Sequence, residues 1–218
     1  MRKWPKQHPS LFVHTKDVGP SKIFPVSLFL ISYFVDPSQK ALLGGNWNLH
    51  ADYFTAMIRA IALEGEIFVV QPQGSDEILS ISLWTEPDHD MFSTHEQRAL
   101  GFDHFFHRLS PMAQMWWHGQ CNTTTVELMA RSFTEEERQR CFWCCELATD
   151  PKYQRRGFAS AMISHVRNSR TQDQIIGLST PAEVNVIKYQ KMGFCERGRA
   201  IMKAATGPFP VIVMSLDC

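Results

Sequence analysis

The sequence predicts a mixed α/β fold in which helices cover both faces of a central sheet. The run CFWCCELAT (Cys141–Thr149) is nearly all apolar, as expected of a central strand that is buried on both faces. From this strand onward, the chain alternates strand, helix, strand and helix before two further strands. Before it, two β-rich runs flank the turn residues QPQGSD, which indicates a hairpin over Glu66–Trp84. Such a sheet is stable when helices pack on its apolar faces.

The composition is that of one globular domain without a charge bias. Hydrophobic side chains make up 44% of the 218 residues, enough to bury a core. Lysine plus arginine (22) equals aspartate plus glutamate (22), so the basic surface of a nucleic-acid-binding protein is not expected. The N-terminus lacks a secretory signal, and the apolar run Phe24–Val35 is shorter than the roughly 20 residues that span a bilayer. We therefore expect a protein of the cytoplasm or nucleus that is not secreted and binds no membrane.

The first half of the chain is expected to contribute a strand, the hairpin and several helices. SLFVHT (Ser10–Thr15) has the composition of a strand, and a buried helix over Pro25–Val35 ends at the Asp-Pro pair that follows it. Apolar residues at helical spacing predict a helix over Leu49–Leu63, which Gly65 would cap. The same spacing predicts a further amphipathic helix over Leu100–Leu109.

The second half has a regular order of elements. The acidic stretch Thr134–Arg140 is typical of a capped helix start. A helix is predicted from Gly157 to about Arg170, and IIGLST (Ile175–Thr180) is a short strand. A second helix opens at Pro181 and ends at Gly193. The runs FCERGRAIM and FPVIVMSL are then the two closing strands.

The cysteines and histidines do not form a recognisable metal-binding pattern. The cluster CFWCC lies in a strand-like run without a second cysteine pair at zinc-ligand spacing, so core thiols in a reducing compartment are expected. His104 and His107 are three residues apart on a predicted helix and could share a metal, but spacing supplies no third ligand. Exposed or interface histidines are favoured. A metal-binding interaction protein built on these residues remains a weaker hypothesis.

The stretch DPKYQRRGFASAMISHV (Asp150–Val166) has the properties of an anion-binding loop. It leads from the central strand into a helix, whose first turn carries unpaired N–H groups and a partial positive charge. Gly157 and Ala159 lack the bulk that would keep a phosphate off the backbone, and Arg155 and Arg156 add guanidinium groups that pair with phosphate oxygens. The loop therefore fits a pyrophosphate, with an ordinary basic surface loop as the alternative. Neither the Walker pattern nor G-x-G-x-x-G is present.

Two consecutive motifs resemble the GNAT superfamily of N-acetyltransferases. ELATDPKYQRRGFASAMISHV resembles its acetyl-CoA signature, Q/R-x-x-G-x-G/A, and VIKYQKMGF (Val186–Phe194) resembles its next signature, a helix with a tyrosine that ends in Gly-Phe. The resemblance is strong over Phe142–Phe194, and the whole chain looks similar to fungal GNAT proteins. It implies a twisted, mostly antiparallel sheet within one domain over 1–218. The implied parts are an acceptor-shaping half at about 1–140, an acetyl-CoA-binding core at about 141–195 and closing strands at about 194–218.

The resemblance implies acetyl-CoA as co-substrate and no metal. The loop would hold the CoA pyrophosphate through its N–H groups, and the backbone of the preceding strand would pair with the pantetheine arm. The residues assigned to acetyl-CoA in this way are Leu147, Ala148, Thr149, Gln154, Arg155, Arg156, Gly157, Phe158, Ala159, Ser160 and Asn185. The family often has an asparagine seven residues before the tyrosine. This chain has Ala182 there, and Asn185 stands one turn before Tyr189 instead.

The resemblance also implies direct attack of an amine on the acetyl thioester. Tyr189 matches the family's tyrosine near the CoA sulfur and would protonate the leaving thiolate, with an ordinary surface tyrosine as the alternative. Glu146 is the nearest carboxylate on the strand, and burial could raise its pKa toward that of a general base. The alternatives for Glu146 are a structural ion pair or an exposed position on the strand, and a water chain could replace a dedicated base.

Two functions from different classes follow from these motifs. The leading hypothesis is an N-acetyltransferase that transfers an acetyl group from acetyl-CoA to a primary amine of a small molecule or peptide. The alternative is a non-catalytic acyl-CoA-binding module. Acceptor choice is expected in the first half of the chain, where Trp116 and Trp117 are candidate lining residues and at least one of them is expected in the core. No sequence feature specifies an oligomeric state.

Overall fold

One sheet of seven strands organises the described residues. The computed structural model describes residues 11–14, 29 and 36–216 of the chain. The strands are β1 Leu11–His14, β2 Gly65–Val70, β3 Ser80–Thr85, β4 Cys141–Thr149, β5 Ile175–Thr180, β6 Phe194–Met202 and β7 Phe209–Leu216. Their order is β1-β2-β3-β4-β5-β7-β6, and of these neighbouring pairs only β4–β5 is parallel. The predicted mixed, mostly antiparallel sheet is confirmed.

Helices connect the strands and pack on the sheet. The α-helices of the described residues are α1 Pro37–Leu42, α2 His50–Glu64, α3 His95–Gln97, α4 Asp103–His107, α5 Pro111–Trp116, α6 Asn122–Ser132, α7 Glu135–Arg138, α8 Phe158–Ser169 and α9 Glu183–Gln190. The π-helical segments Arg98–Phe102 and Trp117–Cys121 join α3 to α4 and α5 to α6. Short 3-10 turns cover Trp47–Leu49 and Pro151–Tyr153.

The two faces of the sheet are covered by different helices. Ile67 and Val69 of β2 belong to the core cluster that contains α2, whereas Phe68 and Val70 belong to the cluster that contains α8. Successive side chains of a strand point to opposite faces, so an all-apolar strand supplies both cores. We call these sides of the sheet the α2 face and the α8 face. The expectation of helices on both faces is confirmed.

A β-bulge interrupts this alternation in β4. Cys144 pairs with Trp84 and Glu146 pairs with Leu83, so Cys145 is an extra residue between them. Trp84 packs on the α8 face and Leu83 on the α2 face. Because directly opposed residues of an antiparallel pair lie on the same face, Glu146 is on the α2 face. In an uninterrupted strand, Glu146 would share the face of Cys144.

The sheet opens between β4 and β5. Their parallel ladder runs from Cys141 opposite Ile175 to Cys144 opposite Leu178, although both strands continue beyond it. Past that point β4 pairs with β3, and β5 pairs with β7. In the described part of the chain, the edge of β4 that faces β5 therefore has no strand partner after Cys144. The candidate site lies at this gap.

Two predicted elements differ from the structure in detail, and a third lies almost wholly outside the described residues. The helix over Leu100–Leu109 is broken because Gly101 has a φ of 136°, which a regular helix does not accommodate. Gly65 is the C-cap residue of α2, but its φ of −140° is extended and it begins β2. The helix predicted over Pro25–Val35 lies outside the described residues, apart from Phe29, which is helical.

Cysteine and histidine placement bears on the metal-binding hypothesis. Cys121 is free, as are the three cysteines of the CFWCC cluster, Cys141, Cys144 and Cys145, whereas Cys195, outside that cluster, is disulfide-bonded. Across residues 36–216, no group of three or more His, Cys, Asp or Glu side chains is placed to hold a metal ion.

We also find no helix in the described ranges that is long and apolar enough to cross a membrane.

Candidate active site

The gap between β4 and β5 opens into a cavity of about 410 Å³. Its walls come from the end of β4, the loop that precedes α8, the first turn of α8 and one side of α9. The lining residues are Leu147, Ala148, Thr149, Tyr153, Gln154, Arg155, Gly157, Phe158, Ala159, Ser160, Asn185, Lys188, Tyr189 and Met192. All the residues that the sequence analysis assigned to acetyl-CoA are among them, except Arg156. We call this space the first cavity.

The loop before α8 has a backbone conformation that favours glycine. Gly157 is the N-cap residue of α8 with a φ of 85°, in the left-handed region. A Cβ atom placed on Gly157 would meet no other atom within 4 Å, so it would project into open space. Glycine is therefore favoured at position 157 for two reasons, its lack of a side chain and its ability to adopt a positive φ. No side chain caps this end of α8, which leaves its first turn suited to an anion.

The two arginines of the loop have different surroundings. Arg155 lines the first cavity. The guanidinium of Arg156 lies over the ring of Tyr153, 5.0 Å from its centroid, and donates a hydrogen bond to the carbonyl oxygen of Lys152 at 3.4 Å. The side chain of Arg156 is thus engaged with its own loop, and Arg156 is not among the residues that line the first cavity.

Two side chains tie this loop to the sheet. The amide of Gln154 donates to the carbonyl oxygen of Thr149, the last residue of β4, at 3.3 Å. The hydroxyl of Tyr153 donates to Oε1 of Glu77, in the β2–β3 connection, at 2.8 Å. These contacts hold the loop against β4 and the β2–β3 connection, so its N–H groups keep their positions relative to β4.

The end of β4 presents a free backbone edge to the first cavity. Leu147 and Thr149 pair with Ser82 and Ser80 of β3 on one side of the strand, and the first cavity lies beside these residues at the gap in the sheet. A free strand edge binds extended groups that contain amides through main-chain hydrogen bonds. The cavity thus combines an edge for amides with a helix N-terminus for an anion.

A second cavity of about 260 Å³ adjoins the first on the α2 side of the gap. Leu147, Asn185 and Tyr189 line both cavities, so ligands of the two cavities would meet at these residues. The second cavity also contains two carboxylates, those of Asp36 and Glu146. The other lining residues are mainly apolar and come from α1, α2, β5, β6 and β7. The geometry therefore joins an anion-binding space to a smaller acidic and apolar one.

Tyr189 stands where the two cavities meet. Its half-buried ring packs against Phe194, with the ring centroids 5.7 Å apart. Its hydroxyl has no hydrogen-bond partner among the described residues. Burial raises the pKa of Tyr189 above its ordinary value, and the charges of Cys144 and Glu146 raise it further. The phenol therefore stays protonated and is able to donate a proton.

Glu146 faces the second cavity because of the bulge at Cys145. It is half-buried, and its carboxyl group has no hydrogen bond or ion pair with any described residue. Burial, followed by the charge of Asp36, raises its pKa to about 8. A carboxylate with this pKa is matched to proton transfer near neutral pH. The structural ion pair considered from the sequence is therefore not formed within the described residues.

Three thiols line the second cavity, but they are not nucleophilic. Burial raises the pKa of Cys121 to about 11 and that of Cys145 to about 12, and it raises the pKa of Cys144 well above its ordinary value. Because the thiolate is the reactive form of cysteine, these side chains stay inert at neutral pH.

Asp36 and Tyr53 of the second cavity were missed by the sequence analysis. The sequence assigns Asp36 only to the end of the preceding helix, yet it is the N-cap of α1, and its side chain accepts hydrogen bonds from the N–H groups of Ser38 and Gln39. An aspartate followed by proline is a recognisable N-cap signal, so this role can be read from the sequence. Tyr53 was assigned only to the apolar face of α2. No local pattern connects either residue to Glu146.

The adjacent tryptophans divide between the cavity and the core. Trp116 lines the second cavity. Trp117 packs against the core cluster of the α2 face, and its ring N–H donates to the carbonyl oxygen of Leu42 at 2.9 Å. The expectation that at least one of them is a core residue is confirmed.

Comparison with known proteins gives a likeness in structure but not in sequence. No protein-family model and no curated protein sequence matches the chain. Solved structures of acetyltransferases match it over nearly its whole length. One is an insect protein assigned provisionally as arylalkylamine N-acetyltransferase 7, from the yellow fever mosquito. It has a TM-score of 0.63 and 13% identity, over 94% of this chain and 86% of that chain.

Two further structures extend this likeness. The polyamine N-acetyltransferase of Drosophila melanogaster, which forms N-acetylagmatine, has a TM-score of 0.60 and 12% identity, over 95% of this chain and 100% of that chain. A histone acetyltransferase HPA2 and related acetyltransferase from Corynebacterium glutamicum has a TM-score of 0.53 and 15% identity, over 94% of both chains. The protein therefore has the fold of GNAT acetyltransferases.

Proposed function

We propose that this protein is an acetyl-CoA-dependent N-acetyltransferase that acetylates a primary amine of a small molecule. The observation that carries the proposal is the junction of the two cavities at Tyr189, with Glu146 on the second cavity. One cavity suits the phosphate and amide groups of acetyl-CoA, and the other suits an amine. The mosquito and fly proteins of the same fold are named for amine acceptors, which supports this class of reaction.

In this proposal the first cavity binds acetyl-CoA. The first turn of α8, from Gly157 to Ser160, would receive the pyrophosphate, with the guanidinium of Arg155 as a further contact. The pantetheine amides would pair with the free edge of β4 over Leu147–Thr149. The thioester would then lie near Tyr189, at the entrance to the second cavity.

The reaction follows from the protonation states at the junction. The ammonium of the acceptor gives a proton to the Glu146 carboxylate, and the neutral amine forms a C–N bond with the thioester carbon. The C–S bond then breaks, the thiolate takes the proton of the Tyr189 phenol, and the new amide nitrogen loses a proton that restores the phenol. Direct transfer is favoured because the neighbouring thiols are protonated and cannot carry the acetyl group.

The proposal treats residues 1–218 as one acetyltransferase domain. The second cavity takes residues from both proposed parts of it, such as Asp36 and Tyr53 before residue 140 and Glu146 after it. The small volume of the second cavity favours a small molecule over a folded peptide segment as acceptor.

The proposal is tested by following CoA release from acetyl-CoA in the presence of a panel of primary amines. We expect turnover with at least one amine, and for Tyr189→Phe a lower kcat with an unchanged KM for acetyl-CoA. Removing a general acid typically lowers the rate by a factor of about 100 or more. Tight CoA binding without thioester cleavage by any amine would instead establish the non-catalytic acyl-CoA-binding module.

A further inference from the structure

If the proposed function holds, the second cavity binds the acceptor, and its lining indicates which amines fit. Among the described lining residues there are two carboxylates, Asp36 and Glu146, and no lysine, arginine or histidine. Much of the remaining surface is apolar, including Met57, Met202 and Phe209. A cavity with this lining favours a cation over an anion and an apolar body over a polar one.

The carboxylate of Asp36 is held in place with one oxygen free. Its Oδ1 accepts hydrogen bonds from the N–H groups of Ser38 at 2.8 Å and Gln39 at 3.0 Å, and from the hydroxyl of Ser38. Oδ2 has no partner among the described residues. The cap of α1 therefore fixes the orientation of the carboxylate and leaves Oδ2 to accept a hydrogen bond from a ligand.

A buried phenol points to a ligand at the same place. Tyr53 is only 5% exposed, and its hydroxyl has no hydrogen-bond partner in the described part of the chain. After burial, the charges that raise the pKa of Tyr53 are those of Glu146, Cys145, Cys121 and Asp36. Tyr53 lines the second cavity together with all four of these residues. The hydroxyl is not among the fully buried polar atoms that lack a partner, so it is open to the second cavity, and its oxygen can accept a hydrogen bond from a bound ammonium.

We propose that the acceptor is a primary monoamine with an apolar body and without a carboxylate group. Its ammonium binds to Oδ2 of Asp36, the hydroxyl of Tyr53 and the carboxylate of Glu146, and its apolar body packs against Met57 and Phe209. Glu146 takes the proton for catalysis, whereas Asp36 holds the cation and orients it. Asp36 is in this view a substrate-binding residue that the motifs of the sequence do not indicate.

The same lining disfavours two related classes of amine. The carboxylate of an amino acid would be buried beside Asp36 without a cationic side chain to pair with it, and such a like-charge contact is strongly unfavourable. The second ammonium of a diamine would lie against apolar walls that offer it no further carboxylate. Selectivity among amines therefore distinguishes this proposal from acetyl transfer in general.

The test compares phenethylamine with phenylalanine, which has the same aromatic body plus a carboxylate, and with putrescine, a diamine. Acetylation of each is measured with the purified full-length chain and saturating acetyl-CoA. We expect kcat/KM for phenethylamine to exceed that for phenylalanine by about 100-fold or more and to exceed that for putrescine. Phenylalanine or putrescine as the better acceptor would overturn the proposal.

The variant Asp36→Asn tests the role assigned to the carboxylate. Asparagine is also a good N-cap, so α1 should keep its cap. We expect the KM for phenethylamine to rise about tenfold or more, with an unchanged KM for acetyl-CoA. Glu127→Gln removes an exposed charge from α6, outside both cavities, and should change neither constant.

An unchanged KM for phenethylamine in Asp36→Asn would contradict the proposal. If Asp36→Asn does not fold, Tyr53→Phe gives a second measure, and it too should raise the KM for phenethylamine alone. Failure of the underlying function has a different result. In that case acetyl-CoA binds and no amine of the whole panel is acetylated, whereas failure of the inference leaves acetylation of some amine intact with phenethylamine not preferred.

Discussion

Glu146 pairs with Leu83 across the β3–β4 ladder, one residue out of step with the pair formed by Cys144 and Trp84. The extra residue, Cys145, turns the carboxyl of Glu146 toward α2 and into the second cavity. The same bulge lies next to the point where β4 leaves β5. A single insertion in one strand thus coincides with both the opening of the sheet and the placement of its proposed base.

Glu146→Gln should change the pH dependence of the reaction. The pKa of Glu146 is about 8, so the carboxyl becomes a base as the pH rises through that value. We expect kcat/KM of the wild type to fall as the pH drops below about 8, in addition to the fall caused by protonation of the amine near pKa 10. In Glu146→Gln the step near 8 should disappear and kcat should fall about 100-fold. A profile that keeps this step would exclude Glu146 as the base.

The same substitution should alter the pH dependence of stability. Because the pKa of Glu146 rises from 4.5 to about 8 on folding, the folded protein binds this proton more tightly than the unfolded chain. This contribution is complete below about pH 4.5 and is lost as the pH rises through about 8. Thermal unfolding should therefore show the Tm of Glu146→Gln rising relative to the wild type between about pH 5 and about pH 9. An equal difference at both pH values would contradict the buried position of this carboxyl.

Arg155→Ala and Arg156→Ala should have unequal effects on CoA binding. Arg155 lines the first cavity, whereas Arg156 contacts Tyr153 and Lys152. Loss of one charge-assisted contact to phosphate should weaken CoA binding by Arg155→Ala about tenfold. Arg156→Ala, the matched control in charge and sequence position, should change it little. Calorimetric titration with CoA gives both constants, and equal losses would mean that Arg156 reaches the phosphate.

Gly157→Ala should lose both stability and CoA binding. Its φ of 85° disfavours a side chain by about 1 kcal/mol, and the added methyl group would enter the space beside the first turn of α8. Gly74→Ala is the control, because Gly74 also has a left-handed φ, 76°, in open space but is remote from both cavities. Denaturant unfolding should show a similar loss for both variants. Only Gly157→Ala should reduce the rise in Tm that CoA produces.

Arg170 should be a major contributor to stability. Its guanidinium lies 3.6 Å from the ring centroid of Phe142, pairs with Glu66, and lies 3.7 Å from an oxygen of Glu86. The side chains of Arg170 and Glu66 are only 12% and 7% exposed, so Arg170→Ala would take a cationic partner away from a buried carboxylate. We expect a loss of about 3–5 kcal/mol in the free energy of unfolding.

The exposed pair of Arg108 and Asp52 is the control for this prediction. Arg108 is 45% exposed, and Arg108→Ala should cost no more than about 1 kcal/mol. The double variant Arg170→Ala with Glu66→Gln should recover part of the loss, because it also removes the buried negative charge that Arg170 balances in the wild type. A loss below about 1 kcal/mol for Arg170→Ala would show that this network contributes no more than a surface pair.

The positions and lengths of four strands along the chain were predictable from local sequence patterns. The structure has strands over Cys141–Thr149, Ile175–Thr180, Phe194–Met202 and Phe209–Leu216, with the predicted bounds. Apolar runs, two-residue and helical periodicities, and glycine or proline at the ends of elements are all properties of neighbouring residues. The broken helix at Gly101 was not predicted, since a positive φ at a glycine depends on the packing around it.

The candidate site was predictable in part. The loop around Gly157 and the tyrosine at 189 are recognisable from short motifs, and both line the first cavity. The orientation of Arg156 was not predictable, because it depends on Tyr153, which is itself held by Glu77 of a distant hairpin connection. Side-chain direction in a loop depends on such contacts and leaves no pattern in the sequence.

The mixed sheet, the helices on both of its faces and a glycine-containing loop suited to an anion can be predicted from the amino-acid sequence, because these features depend on local conformation and apolar periodicity. The folding of the chain brings Asp36, Tyr53 and Glu146 into one cavity. It does so through the bulge at Cys145, which reverses the side-chain alternation of β4, and through packing of segments that are far apart in the chain. The residues proposed to bind acetyl-CoA are therefore visible in motifs, whereas those proposed to bind the acceptor come together only in the folded protein.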